Sequence, residues 1–509
     1  MFQPENSLGR EVGMQDARVR SAAAVFLWTA ALTVLLPWLI LQSDGVRMTP
    51  ALALQGVVVA HSGGALARVL TAGTVRFVAF GFWVFAYIWL GLAPLAMLAT
   101  DTYPWPYRGS EATAFEAVAV VELGLLAYSA GTALAGRRRQ ARGTARPPEP
   151  GFLERLLARR VAPWRLLGLC GLALAFAVLV ISSQPGRLHA YFTSRQAITE
   201  AGAMADAQDA FLQVLLTWSL SVPAFWALLG LLHVPRVAGG DRWLRGLRWL
   251  LLPVLLVLNA VVNNPISKPR FWVGTVLLTL LFTMPRLSRP RTFRLTAAAL
   301  IAGLLLVFPY SDYFRYSDRE DISVVSLVDQ FTTNGDYDAF QQIQTGVDYA
   351  QDNGFSPQDA LGPPLFMVPR SMWPEKPEDT GIALARYAGY DFLNLSAPLW
   401  IESYLWAGPF AVVVVFCLLG AVSRRVDDVR HLLRHRPGTL AALLVPAFAF
   451  YQMVFLRGSL LGIAGPLTLL VTVPLLISTR TARASRFPSS AVPTAPIRHA
   501  SIPGTGGHP

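Results

Sequence analysis

The chain has 509 residues, of which 53% are hydrophobic and 15% charged, where an ordinary soluble protein carries roughly 25% charged residues; a simple soluble enzyme is excluded. Its formal net charge of +12 would suit a nucleic-acid partner, but the arginines gather at the ends of apolar runs and form no basic face interleaved with aromatics, so nucleic acid is excluded too. The two cysteines, Cys170 and Cys417, both fall inside apolar runs and support neither a disulfide framework nor a zinc site.

Apolar runs of roughly 17–25 residues, each able to cross a hydrocarbon core about 30 Å thick as a helix, recur along the chain. They predict an all-α, polytopic membrane protein with about twelve transmembrane helices. Residues 1–20 form a polar N-terminal segment, and the run after it lacks a small-residue cleavage site, so it reads as an uncleaved first helix. The spans fall near 21–42, 51–67, 77–99, 112–135, 164–183, 211–233, 248–262, 271–285, 295–311, 398–423, 438–456 and 459–479. The second is interrupted by "HSGG" and admits a re-entrant or interfacial reading. The pair flanking "NNPISKPR" is near the lower length limit for crossing. A long polar loop, 309–397, separates the ninth and tenth spans, and residues 480–509, rich in Ser, Pro, Gly and Arg, have the composition of a disordered tail.

Lys and Arg accumulate in cytoplasmic loops. "GRRRQARGTAR", "PRVAGGDRWLRGLR", "PRLSRPRTFR" and "SRRVDDVRHLLRHR" therefore share the cytoplasmic side with both termini, and the 309–397 loop faces outward. That loop holds 14 of the 31 acidic residues against five basic ones, the distribution of an inner-membrane protein. One membrane domain, 21–479, accounts for the chain, and the heavy use of Arg, Ala, Gly and Pro points to a GC-rich bacterial source.

Charges on the outward face are few. The basic candidates among them are Arg187, Arg195, Lys268, Arg270, Arg315, Arg370, Lys376, Arg386 and Arg457, including both lysines of the chain. Arg270 and Arg457 border apolar helices, where an unpaired charge is costly and usually functional, although arginines at helix ends also snorkel to headgroups. Several guanidinium forks converging on one outer cavity would match phosphate oxygens. No Gly-rich phosphate loop is present, so the phosphate would belong to a lipid-linked ligand and not to a nucleotide. Carboxylate candidates are Asp312, Asp336, Asp338 and Glu402. Glu402 lies in an apolar run at the mouth of the tenth span, where partial desolvation suits a carboxylate to general-base work; it is alternatively a structural partner of one of the arginines. No metal-ligand spacing and no Gly-x-Ser-x-Gly elbow occurs, so a mechanism without metal or cofactor is expected. His61 and His189 are the only histidines near the outer site or inside the membrane.

From the seventh span onward, "NNPISKPRFW", "NGDYDAFQQI", "VPRSMWPEKPEDTG", "SAPLWIESYLWAGPF" and "FLRGSLLG" resemble, in that order, the Wzy-type oligosaccharide repeat-unit polymerases of bacterial envelopes, over roughly the second half of the chain. The resemblance implies a metal-independent membrane glycosyltransferase acting on the outer face of the cytoplasmic membrane. It would take undecaprenyl-pyrophosphate-linked oligosaccharide as donor and join repeat units into a surface polysaccharide, with a chain-length regulator and a repeat-unit flippase as partners. Carried over by motif, Arg270, Arg370 and Arg457 would hold pyrophosphate or position sugar, with Lys376 as a further contact, and Glu402 and Asp338 would be the candidates for activating the acceptor hydroxyl; Lys268, Arg315, Trp373 and Tyr404 complete the candidate substrate-binding set. The prolines of "FMVPRSMWPEKPEDTG" would stiffen a loop over the site, and Arg370→Ala should abolish chain elongation while leaving expression intact.

Three other classes compete. An O-antigen ligase shares the architecture and the lipid donor but commonly carries a histidine in the outer loop; between His189 and His431 the only histidine here is His233, at the cytoplasmic end of its span. A transporter favours ionisable residues at depth or related halves, and the spans read as holding almost no charge at depth. A receptor or scaffold would not need arginines at several separate helix ends.

Overall fold

A computed structural model describes residues 22–43, 45–107, 109–141, 151–183, 187–193, 207–233, 242–287, 289–307, 326–393, 395–436 and 438–479. The N-terminal segment 1–20, the tail 480–509, Arg195, Asp312 and Arg315 lie outside the described residues.

Each expected span falls on a helix within its described residues. The first half comprises α1 (Ala22–Leu41), α2 (Pro50–Thr71), α3 (Phe77–Thr100), α4 (Glu111–Ala141), the short α5 (Phe152–Leu157), α6 (Pro163–Ser183) and α7 (Ala207–His233). The second half comprises α8 (Arg242–Val262), α9 (Arg270–Phe282), α10 (Pro290–Leu306), then α11 (Leu327–Thr333), α12 (Ala339–Asn353) and α13 (Thr380–Ala388), and finally α14 (Leu399–Leu432), α15 (Leu440–Arg457) and α16 (Leu460–Ile477). Among the described residues, nine helices are long and apolar enough to cross a membrane, and the chain is an all-α, multi-pass membrane protein. The apolar parts of α8 and α9 are shorter, and α10 spans 17 residues. The polar interval 309–397 is not irregular, since its described part folds into α11, α12 and α13.

The re-entrant reading of "HSGG" is corrected. Thr49 caps α2 by accepting from the Leu52 N–H, Pro50 opens it, and 22 residues run without a break. The glycine serves close packing instead: a Cβ on Gly63 would sit 3.1 Å from the Tyr87 ring and 3.2 Å from the Leu32 carbonyl. Helix α3 is apolar on every side and is buried along its whole spanning window, so it forms the axis of the bundle.

Two buried clusters surround that axis. One joins α2, α3, α4, α14, α15 and the helices α11 and α12 of the polar interval; the other joins α6, α7, α8, α9, α15 and α16. Helix α15 contributes to both, with Val445 and Phe450 in the first and Leu443 and Tyr451 in the second. Helices α4 and α14 meet at two reciprocal glycines. A Cβ on Gly131 would strike the Cys417 carbonyl, and one on Gly420 would strike the Tyr128 carbonyl.

The two ends of the bundle differ chemically. At one end, Asp427 accepts the Val78 and Ala79 N–H groups at 3.0 Å and caps α3, while Arg294 donates to the Leu70 and Thr71 carbonyls at the end of α2. There too β1 (Arg160–Val161) pairs antiparallel with β2 (Ser478–Thr479). At the other end lie the 102–110 connection, the α8–α9 turn, α11 to α13, the start of α14 and the end of α15.

The reading that the spans hold almost no charge at depth is also corrected. His61, midway along α2, places Nδ1 2.7 Å from Oε1 of Glu122 on α4, and its Nε2 lies 3.1 Å from Ser129 Oγ. Both side chains are largely buried, at 16% and 12% exposure. Each residue stands alone in an apolar stretch, so neither announces its partner, 61 positions away.

Candidate functional site

The site is organised by a tight turn. In "TNGDYD", the Asn334 side chain accepts the Asp336 N–H at 2.9 Å, which folds Gly335–Tyr337 into one 3-10 turn between α11 and α12. This places Asp336 and Asp338 two residues apart at the end of the bundle. Trp89 Nε1 fastens the turn to α3 by donating to the Asp336 carbonyl at 2.9 Å.

Arg457 and Arg270 converge on this turn. Arg457 ends α15, where a cation complements the helix dipole. Its Nε donates to the Asp336 carbonyl at 3.1 Å, and its Nη2 donates to the Gly335 carbonyl at 2.9 Å and to Asp338 Oδ1 at 2.8 Å. Arg270 opens α9, the unfavourable end of that dipole for a cation, and lies 2.6 Å from Asp336 Oδ2. Asp338 also accepts from Ser396 Oγ at 2.7 Å and from Trp105 Nε1 at 3.3 Å. The Arg457 and Asp338 side chains are 18% and 2% exposed, so deleting either partner would leave a buried charge unpaired, a loss of ~3–5 kcal/mol.

Arg270 and Arg457 thus converge on one turn, where each meets a carboxylate. The described bonds of Arg457 leave from Nε and Nη2, so Nη1 is the part of its fork available to a ligand. Lys268 sits two residues before Arg270, is 5% exposed, and holds Nζ 5.9 Å from the centre of the Trp218 ring. Burial pushes its pKa down to about 7.

Glu402 is placed beside this cluster and does something else. Its carboxylate accepts from Ser459 Oγ at 3.2 Å and from the Leu460 N–H at 3.1 Å, which caps α16 two residues beyond Arg457. It is a structural partner, as one reading held, but of a helix terminus and not of an arginine.

The loop "FMVPRSMWPEKPEDTG" is closed by its own cations. Arg370 donates from Nη1 to the Lys376 carbonyl at 2.7 Å and from Nη2 to the Pro377 carbonyl at 3.2 Å. Lys376 Nζ donates back to the Phe366 and Val368 carbonyls at 2.6 and 2.9 Å; burial, then the Arg370 charge, lowers its pKa. Trp373 is partly exposed on the same loop. The loop lies on the first turns of α16, where Asp379 Oδ2 would be 2.7 Å from a Cβ on Gly462. Tyr404 lies apart, donating to Glu116 Oε1 at 2.5 Å.

Ser396, Trp105 and Trp89 were missed from sequence. Trp105, bracketed by Pro104 and Pro106 in a polar connection between two apolar helices, carried a usable signal; Ser396 and Trp89 carried none. Among the described residues no group of three or more His, Cys, Asp or Glu is placed to hold a metal ion. No protein-family model, curated protein or solved structure matches the chain.

Proposed function

We propose that the chain is a membrane glycosyltransferase that joins lipid-pyrophosphate-linked oligosaccharide repeat units into a surface polysaccharide. In this reading it lies in a bacterial cytoplasmic membrane, with both termini inside and the Arg–Asp cluster outside. The supporting observation is the convergence of Arg270, Arg457, Asp336 and Asp338 from three separate segments at one end of the bundle. Transfer breaks the bond between the anomeric carbon and pyrophosphate, and the departing oxygens gain charge. Preorganised cationic donors such as Arg457 Nη1 and Lys268 stabilise that charge, each worth about 10²–10³ in rate. Asp338 and Asp336 hold the guanidinium groups in place and are the nearest carboxylates to receive the acceptor proton. Arg370 and Lys376 shape the covering loop, and Trp373 offers an apolar face to sugar or lipid.

The test is the size distribution of lipid-linked and surface glycans in a deletion strain complemented with wild type or Arg457→Lys. Accumulated single units without long polymer, restored by wild type and reduced about 10²-fold or more by Arg457→Lys, is the expected result. Long polymer that stays on its lipid carrier identifies a ligase. Unchanged glycans overturn the enzyme reading and favour transport, for which the His61–Glu122 pair is the specific supporting observation.

A further inference from the structure

The segment from Leu361 to Glu378 combines an apolar surface with a backbone that closes on itself. Pro363, Pro364, Pro369, Pro374 and Pro377 bring no N–H to satisfy. Short turns join the Leu365 N–H to the Leu361 carbonyl at 3.1 Å, Val368 to Leu365 at 2.9 Å and Trp373 to Pro369 at 3.1 Å. The carbonyls of Phe366 and Val368 accept from the Lys376 ammonium, and those of Lys376 and Pro377 accept from the Arg370 guanidinium. The large apolar side chains turn the other way. Met367 and Met372 are each 78% exposed, Leu361 52% and Leu365 44%. Water would satisfy those carbonyls without help from a cation, and it is a poor surrounding for a run of exposed apolar side chains.

The place of the segment in the fold supplies a better surrounding. The Phe366 ring would be 3.9 Å from a Cβ on Gly465, roughly 8 Å along α16 from its first residue. The segment therefore lies beside the beginning of a membrane span. Of the apolar window of α16, 33% is buried inside the protein, so lipid covers most of the helix against which the segment rests.

We propose that residues 361–378 are a membrane-interface insert: Leu361, Leu365, Met367 and Met372 enter the leaflet at this end of the bundle, while the exposed Arg370, Ser371, Glu375 and Glu378 form its water-facing edge. Lipid offers carbonyls no donors, and the bonds from Arg370 and Lys376 remove that demand. Trp373, partly exposed on the same segment, is of the residue type that settles at headgroup level. The partner is the acyl border of the bilayer and not an anionic headgroup, because the two cations are balanced by Glu375 and Glu378 and already donate to carbonyls. Since α16 starts directly after Arg457, the insert holds the Arg–Asp cluster close to the headgroup layer. The inference rests on α16 crossing the membrane and not on the proposed reaction.

The full chain, with Cys170 and Cys417 replaced and reconstituted in phosphatidylcholine vesicles, tests it through an environment-sensitive fluorophore on single cysteines. Leu361→Cys, Met367→Cys and Met372→Cys report on the insert, and Thr102→Cys, exposed in the α3–α4 connection at the same end, is the water-facing reference. At the three insert positions the emission should shift to the blue, lose most of its intensity to brominated phosphatidylcholine and resist iodide admitted to both sides; at Thr102 iodide should quench and brominated lipid should not. Adding anionic lipid should leave the pattern unchanged. Iodide quenching at the insert equal to that at Thr102 would show a patch in water and overturn the proposal. Protection from both quenchers would show that protein covers the patch, a partner, a second copy or another part of the chain, and would overturn it as well. Lipid quenching in a protein whose deletion leaves cellular glycans unchanged would keep the insert and remove the polymerase reading; a patch in water with polymer lost on deletion would do the reverse.

Discussion

Lys268 is the clearest case of a single residue whose chemistry is set by its surroundings. Its ammonium has a pKa of about 7 in the folded chain against an ordinary 10.5, so between those values the unfolded chain binds more protons and stability rises with pH. Below about 7 the full cost of burying the charge is present, on the order of a few kcal/mol. Thermal unfolding in detergent should show the wild-type midpoint climbing from pH 6.5 to 9.5, and Lys268→Met should flatten that climb and be the more stable chain at the acid end. Parallel curves for the two proteins would mean that Lys268 does not titrate from a buried state. At this scale Arg270, Arg457 and Asp338 were legible because charge at the border of an apolar run is costly and stands out. Their partners were not, since Arg457 meets Asp338 from 119 positions away and Trp105 from 233. Glu402 shows the opposite limit: desolvation was readable from its apolar neighbours, but the helix terminus it caps is a tertiary fact.

Helix pairing turns on small residues. Gly131 and Gly420 let the α4 and α14 backbones touch, whereas a Cβ at Gly136, farther along α4, would meet nothing within 4 Å. Gly420→Ala should cost about 1–3 kcal/mol through forced separation of the helices, and Gly136→Ala should be neutral or slightly stabilising. A detergent melt of the two variants measures this directly, and equal midpoints would count against the crossing. Helix α14 carries a second backbone requirement. It breaks at Ala407 and Gly408, where φ is +62° and only glycine is relaxed, just before Pro409. A Cβ on Gly408 would also approach the Phe355 ring to 3.0 Å, so the break seats the outer helices against the bundle. The apolar helices were readable because length and composition suffice for a helix in lipid; of the twelve expected spans, nine helices among the described residues are long and apolar enough to cross. "HSGG" left a re-entrant alternative beside the helical span because glycine marks either a break or a close contact, and only the neighbour distinguishes them.

For the molecule as a whole, the end that holds Asp427 and Arg294 and the end carrying the Arg–Asp cluster are opposite, and the proposed topology places the first inside by the charge rule. With Cys170 and Cys417 replaced, a cysteine at the exposed Ser371 should react with a membrane-impermeant maleimide on intact spheroplasts, and one at the exposed His435 only after permeabilisation. The reverse pattern would invert the proposed topology and place the site inside.

The sequence by itself determined the all-α class, the succession of spans and the few charges able to matter, because the bilayer imposes length, polarity and hydrogen-bond closure on each segment separately. Only the tertiary structure decided that Arg270 and Arg457 meet Asp336 and Asp338, that Glu402 caps α16, that Arg370 and Lys376 close their own loop, and that His61 finds Glu122 at depth. Each of these joins groups from different parts of the fold or turns a donor toward a backbone carbonyl. A one-dimensional pattern of hydropathy carries no record of either.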